Sequence, residues 1–261
     1  MKLEDLLKDT PAKPVFISPG VYTREPTSDG VRFNAPTGTS EATTLAYTYE
    51  QESDDIDRMV KSSRTIYDEV RELEIPDYLV NDPEVVGYPD LEMQSHIYNW
   101  VCQSIPWNGY TIKDLGAGRG DLYGHLRQER ESVIPNYTGF EKKESLVLAG
   151  KSKYKDITLL KDDFFNSPIV TDYTVCVGTL NEDHGEDKWG YFNKTLNHAI
   201  STTKVAIIFI LAADMDGNIG FLDYPLAEIL SYIPKDVRFT IDYTQLEDIY
   251  KLTVHIGGYN D

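Results

Sequence analysis

The chain has 261 residues, enough for one large domain or one domain with a substantial arm. Its 41% hydrophobic and 26% charged residues are the proportions of a soluble globular protein, and the longest apolar run, residues 205–213, suits a buried strand and not a membrane span. A net charge of −18 argues against broad, non-specific nucleic-acid binding, which needs positive charge facing the phosphates.

The opening Met1-Lys-Leu-Glu-Asp-Leu-Leu-Lys8 lacks the basic-then-apolar order of a signal peptide. Only Cys102 and Cys176 are present, which excludes a disulfide framework and a cysteine-based zinc site. A reducing cytoplasm, or a particle assembled there, is the expected location. Residues 9–53 are rich in Pro, Thr, Ser and Gly, and Pro11, Pro14, Pro19, Pro26 and Pro36 forbid regular helix around them. Residues 1–53 therefore read as an extended arm. Inside it, Val15 to Arg24 alternates well enough to pair as an edge strand, against a partner or the arm's own domain.

Ser53-Asp54-Asp55 opens a charged segment with Ile56, Met59, Val60, Ile66 and Val70 at helical spacing, so a helix is expected over 53–73. A loop over 76–89 follows, then a helix over 91–105 that Pro106 ends. Together these make a helical lead-in, residues 54–106. From residue 107 to 261 strands and helices alternate, the pattern of an α/β domain on a mainly parallel sheet. Strands are expected at 110–115, 136–140, 157–160, 173–177 and 205–211, with helices at 121–130, 144–151, 189–201 and 225–233. Two last strands, 237–243 and 250–256, are joined too closely to be parallel and must form an antiparallel hairpin. The sheet then has seven strands.

Asp114-Leu-Gly-Ala-Gly-Arg-Gly-Asp121 lies between the first strand and the first helix of this domain. Glycine there allows a tight turn and the close approach of a ligand. The dinucleotide fingerprint fails, because Asp121 stands where its third glycine belongs. Acids around the turn suit a ligand carrying an ammonium and a sulfonium, as S-adenosyl-L-methionine (SAM) does; a glycine turn in another α/β protein is the alternative. Glu141 ends the second strand, where an acid can accept from both hydroxyls of a ribose. Asp162 and Asp163 end the third, positioned to accept from an adenine amino group, with Phe164 able to lie against the ring.

These stretches, with Val175-Cys-Val-Gly-Thr-Leu-Asn181 after the fourth strand, resemble class I SAM-dependent methyltransferases over residues 87–256. The likeness is strongest to a small-domain group of bacteria and phages, and takes in Trp189 and the closing hairpin. It implies a Rossmann-like methyltransferase fold with SAM as cofactor. Asp114, Gly116, Gly118 and Gly120 would contact the methionine part, Glu141 the ribose, and Asp162 or Asp163 the adenine, with Gln94 bordering the pocket. The fourth strand ends in Gly-Thr-Leu-Asn and not in Asn-Pro-Pro-Tyr, so N-methylation of DNA bases is not implied.

Methyl transfer needs alignment of donor and acceptor and sometimes removal of a proton. The acidic segment 181–187 would face the methyl group, with His184 the candidate general base and Asn181 a candidate to orient the acceptor. A solvated acidic loop is the competing expectation. His96, His125, His198 and His255 lack metal-ligand spacing, so no metal is expected. Lys142, Lys143, Lys151, Lys153 and Lys155 are expected to form a solvated basic face. Finally, residues 15–25 resemble the opening of sheath and related tail proteins of contractile-tailed phages. That likeness implies a virion partner, a tail, neck or baseplate protein, and with it a second possibility: a virion structural protein that keeps a methyltransferase fold as a non-catalytic building block.

Overall fold

The computed structural model describes residues 21–27, 30–34, 75, 79–105, 109–129, 136–182, 187–213, 222–246 and 248–257, the first two segments as backbone only. The helix expected over 53–73, most of the arm and His184 lie outside the described residues.

Among the described residues nine strands form one sheet: β1 (Val21–Thr27), β2 (Gly30–Asn34), β3 (Thr111–Leu115), β4 (Asn136–Glu141), β5 (Leu159–Lys161), β6 (Thr171–Val177), β7 (Thr203–Ala212), β8 (Arg238–Asp242) and β9 (Ile249–His255). Their order across the sheet is β2-β1-β8-β9-β7-β6-β3-β4-β5. β3 to β7 run parallel to one another, while β9 pairs antiparallel with both β7 and β8. The seven strands expected from the sequence are all present, including the closing hairpin. Five α-helices among the described residues connect or cover them: α1 (Leu91–Cys102), α2 (Asp121–Glu129), α3 (Glu144–Lys153), α4 (Lys188–Ser201) and α5 (Leu226–Tyr232).

β7 shows why residues 205–213 are apolar without interruption. Ile207, Phe209 and Leu211 enter a core under α4 and α5 with Phe192, Leu196 and Ile229. Ala206, Ile208 and Ile210 enter the opposite core with Trp100 and Val101 of α1 and Leu122 and Leu126 of α2. A strand covered on both faces has no polar side to show. α1 belongs to this core: the indole of Trp100 donates to Asp242 Oδ2 at 2.8 Å, tying the helix to β8. Asp90 caps its start by accepting from the Met93 N–H.

The two strands from the arm extend the sheet. β1 pairs antiparallel with β8 from Val21↔Asp242 to Arg24↔Phe239, and its other edge pairs with β2. Of the strand expected near residues 15–24, residues 21–24 are described, and they dock on β8 of the chain's own domain; residues 15–20 lie outside the described residues. Both edges of β1 are used.

The chain passes from β3 outward through β4 and β5, then crosses back to place β6 on the other side of β3. Connections leave the carboxyl ends of β3 and β6 in opposite directions, which opens a crevice there. The candidate site occupies that crevice.

Candidate functional site

The glycine turn forms the floor. Gly116 and Ala117 donate their N–H groups to the Phe140 carbonyl at 2.9 and 2.8 Å, fastening the turn to the end of β4. Gly116 has φ +74°, and a Cβ there would lie 2.1 Å from Thr179 Oγ1. That hydroxyl donates to the Leu115 and Gly116 carbonyls at 2.8 and 3.2 Å, so nothing can yield to a side chain. Gly120 has a different task. A Cβ on it would meet Ile157 at 2.2 Å, and it lies off the cavity wall, where helix α2 starts close against its neighbours.

Above the turn is a cavity of about 280 Å³ bordered by Asp114, Gly116, Gly118, Glu141, Asp162 and Phe164. Six residues expected from the sequence thus share one cavity; Gly120 and Asp163 do not border it.

Asp114 is buried, and its carboxylate accepts from the Tyr137 hydroxyl at 2.5 Å. Burial pushes its pKa up to about 7; the Tyr137 hydrogen bond opposes this and the nearby Glu141 charge adds to it. Glu141 is raised as well, again chiefly by burial. Its two oxygens accept from the Gly118 and Lys143 N–H groups at 3.0 and 2.8 Å, which sets the plane of the carboxylate. With about four acceptor sites on two oxygens, two remain for a ligand. Asp162 is exposed at the rim, and among the described residues its carboxylate accepts only from the Asn166 amide, at 3.3 Å. Its neighbour Asp163 turns away, accepting from the Phe165 N–H as the cap of a 3-10 turn and pairing with Lys142 at 3.0 Å. Phe164 is buried, stacked at an angle on Phe165 with ring centres 4.3 Å apart.

Other wall residues escaped the sequence reading. Val86, Gly87 and Tyr88, from the stretch expected to be only a loop, close one side of the cavity, with Tyr98 of α1 beside them. The rings of Tyr88 and Tyr98 meet edge to face at 5.6 Å. A Tyr directly after a glycine and the Gln94/Tyr98 pair, one turn apart on α1, were the available signals. Gln94 lies off the cavity and reaches Tyr98 at 3.5 Å. Glu182 and Thr179 border the cavity from the β6 side.

Arg119 was also missed. It is fully buried and donates to the Leu79 and Val80 carbonyls at 3.2 and 2.6 Å, as well as to Asp121. Lys153 and the Tyr154 hydroxyl reach the other Asp121 oxygen at 2.8 and 3.0 Å. Burial alone would raise the Asp121 pKa, but Arg119 and Lys153 more than offset it and hold the carboxyl below the usual range. The basic face expected from Lys142 to Lys155 is thus partly spent, with Lys153 and Lys142 in ion pairs and Lys143 on the cavity wall. Asn181 is buried off the cavity, its side-chain amide donating to the Leu222 carbonyl at 2.8 Å while its main-chain carbonyl accepts from the Leu222 N–H. Among the described residues no group of three or more His, Cys, Asp or Glu could hold a metal ion, and no helix is long and apolar enough to cross a membrane.

The parallel sheet, its closing hairpin and a crevice beside a glycine turn define a Rossmann-like fold of the class I methyltransferase type. No family model matches the chain, and no curated protein is similar to it in sequence at a significant level. Solved structures are similar. The magnesium protoporphyrin IX methyltransferase of Synechocystis PCC 6803 with bound SAM superposes with a TM-score of 0.51 at 14% identity, over 80% of this chain and 99% of that one. The pyocyanin biosynthetic protein PhzM gives 0.52 at 11% identity, over 78% and 69%. A SAM-dependent methyltransferase from Clostridium acetobutylicum ATCC 824 gives 0.50 at 13%, over 69% and 97%. At these identities the likeness is one of fold.

Proposed function

We propose that the chain binds SAM in this cavity and transfers its methyl group to an acceptor. One observation carries the reading: Asp114 is buried and Glu141 half-buried at the cavity wall, and neither is ion-paired among the described residues. Such a cavity favours positive charge, and SAM carries an ammonium and a sulfonium. A dinucleotide, with its anionic pyrophosphate, suits it poorly. Asp114 and the Gly116–Gly118 turn would hold the methionine part, Glu141 the ribose and Asp162 the adenine amino group, with Phe164 along the ring. Bound SAM supplies an electrophilic methyl on a good leaving group. The chain's own contribution is alignment and exclusion of water. Isothermal titration with SAM tests the reading: stoichiometric binding is expected, weakened at least tenfold by Glu141→Ala in protein of unchanged circular dichroism. Absence of heat, together with no binding of S-adenosylhomocysteine, would sink it.

A second reading rests on the likeness of residues 15–25 to phage tail proteins; the bond of the Asn181 amide to Leu222, which keeps it from orienting an acceptor, bears only on the lack of turnover in that reading. In it the chain is a phage virion component that keeps the fold without turnover, attached through its arm. Deleting residues 1–53 is then expected to abolish incorporation into particles while Glu141→Ala leaves it intact. Normal incorporation of the truncated chain would count decisively against this reading.

A further inference from the structure

We infer that Arg119 is a positioning residue: it fastens residues 79–88 as one wall of the cavity and so sets how long a bound ligand is retained. This role rests on the proposed SAM site and adds to it the part of the chain that keeps SAM in.

Arg119 follows Gly118 in the glycine turn, yet it does not border the cavity. Its side chain is fully buried, and its planar fork divides between two neighbours. Nε and Nη2 donate to Asp121 Oδ2 at 3.0 and 2.8 Å. Nη1 donates instead to the main-chain carbonyls of Leu79 and Val80, at 3.2 and 2.6 Å. The Arg119 backbone is fixed too: Gly150 of α3 packs so closely that a Cβ on it would lie 2.4 Å from the Arg119 carbonyl oxygen.

From this anchor a series of local hydrogen bonds runs to the cavity. The Leu79 carbonyl also accepts from the Asp82 N–H at 3.0 Å. The Asp82 carboxylate caps the 3-10 turn Pro83–Val86 by accepting from the Glu84 N–H at 3.0 Å. Gly87, with φ +86°, ends that turn by donating to the Glu84 carbonyl, and the Tyr88 N–H donates to the Pro83 carbonyl. Anchor, turn and wall are therefore one piece. Its cavity face is Val86, Gly87 and Tyr88, and Val86 lies 3.1 Å from where a Cβ on Gly118 would stand. Of residues 79–88 only Val85 is fully buried, against Leu146 and Ala149 of α3, so little apolar burial backs up the Arg119 anchor. Weakening the anchor opens this side of the cavity without touching Asp114, Glu141 or any other group assigned to SAM. The effect falls on release, and by reciprocity bound SAM holds the wall in place.

The experiment times the release of isotope-labelled SAM from the full chain, chased with excess S-adenosylhomocysteine, and follows hydrogen exchange of the Gly87 and Tyr88 amides with and without SAM. Arg119→Lys keeps a charge beside Asp121 but cannot reach two carbonyls as well. Release is expected to speed up about tenfold, the scale of hydrogen bonds lost from a charged donor, with faster exchange at Gly87 and Tyr88 and unchanged exchange in β7. Asp82→Ala, which removes an exposed cap away from the cavity, is expected to speed release about threefold. Lys153→Met takes the other cation from Asp121 and leaves the anchor intact, so release keeps its rate. An unchanged release rate in Arg119→Lys, or in Asp82→Ala should the first variant fail to fold, overturns the inference and leaves the SAM site standing. So does equal acceleration by Lys153→Met, which would make Asp121 and not the wall responsible. No SAM binding to the unaltered chain overturns the site reading and the inference together.

Discussion

Asp114 and Asp121 flank the same glycine turn, both are buried, and both border the same cavity, yet they live in opposite electrical surroundings. Asp121 is saturated: Arg119 gives it two hydrogen bonds through one oxygen, and Lys153 and Tyr154 hold the other. Asp114 has one tyrosine. The first arrangement lowers a carboxyl pKa against the cost of burial, and the second lets burial win. A buried acid surrounded by its own cations is occupied with holding the molecule together. A buried acid without them is held ready for something from outside. Burial alone does not distinguish a structural carboxylate from a functional one; the fate of its charge does.

The comparison breaks most visibly at Asp121. Asp121→Asn strands the fully buried Arg119 guanidinium, whose remaining bonds run to the carbonyls of Leu79 and Val80. A loss of about 3–5 kcal/mol in unfolding free energy is expected by urea denaturation, the usual cost of deleting one partner of a buried pair. Retention of wild-type stability would show that the Asp121 charge is not structural.

Asp114 predicts the reverse. Its folded pKa of about 7 lies above the unfolded value near 4, so between these limits the native state holds the proton more tightly. Its contribution is complete at low pH and is lost as pH rises through 7; the raised Glu141 acts in the same direction. Asp114→Asn, which cannot ionise, is expected to leave stability near pH 5 almost unchanged. At pH 8 the ligand-free protein should gain on the order of 2 kcal/mol. Thermal melts of both proteins across pH 5–8 measure this. A variant less stable at pH 8 than at pH 5, to the same degree as the wild type, would remove Asp114 from the account.

How legible was this contrast in the sequence? The fold was largely readable, because alternating strands and helices and a run such as 205–213 report local burial. The hairpin followed from the short link between its strands. Asp114, Glu141 and Asp162 could be placed because each ends a strand, and strand ends converge at the crevice. The partners of Asp121 could not, because Lys153 sits at the end of α3 and Leu79 and Val80 lie well before α1, and no local spacing joins them. Nor did the lysine run reveal that Lys153 and Lys142 are already paired. Asn181 misled for a related reason: its place after a strand end suggested an acceptor contact, while its partner Leu222 lies beyond β7. Periodicity reports which side of an element is buried, and long-range pairing decides what a buried polar group does there.

Asp162 and Asp163 repeat the same contrast on a smaller scale, and adjacency makes them its cleanest test. Asp163 is committed: its carboxylate caps the 3-10 turn at 3.0 Å from the Phe165 N–H and meets Lys142, and these offset burial enough to hold its pKa low. Among the described residues the Asp162 carboxylate has only the long contact to Asn166, and it stands at the cavity rim. Asp163→Ala is therefore expected to cost about 1 kcal/mol of stability through the lost cap and to leave SAM affinity unchanged, the half-exposed ion pair adding little. Asp162→Ala should do the opposite, weakening SAM binding about three- to tenfold with stability unchanged, the scale of one ligand hydrogen bond. Denaturation and titration on the two variants side by side decide the point. If Asp163→Ala weakens binding while Asp162→Ala does not, the adenine assignment moves to Asp163 across a single peptide bond, and freedom from internal partners ceases to mark the ligand-facing acid at this strand end.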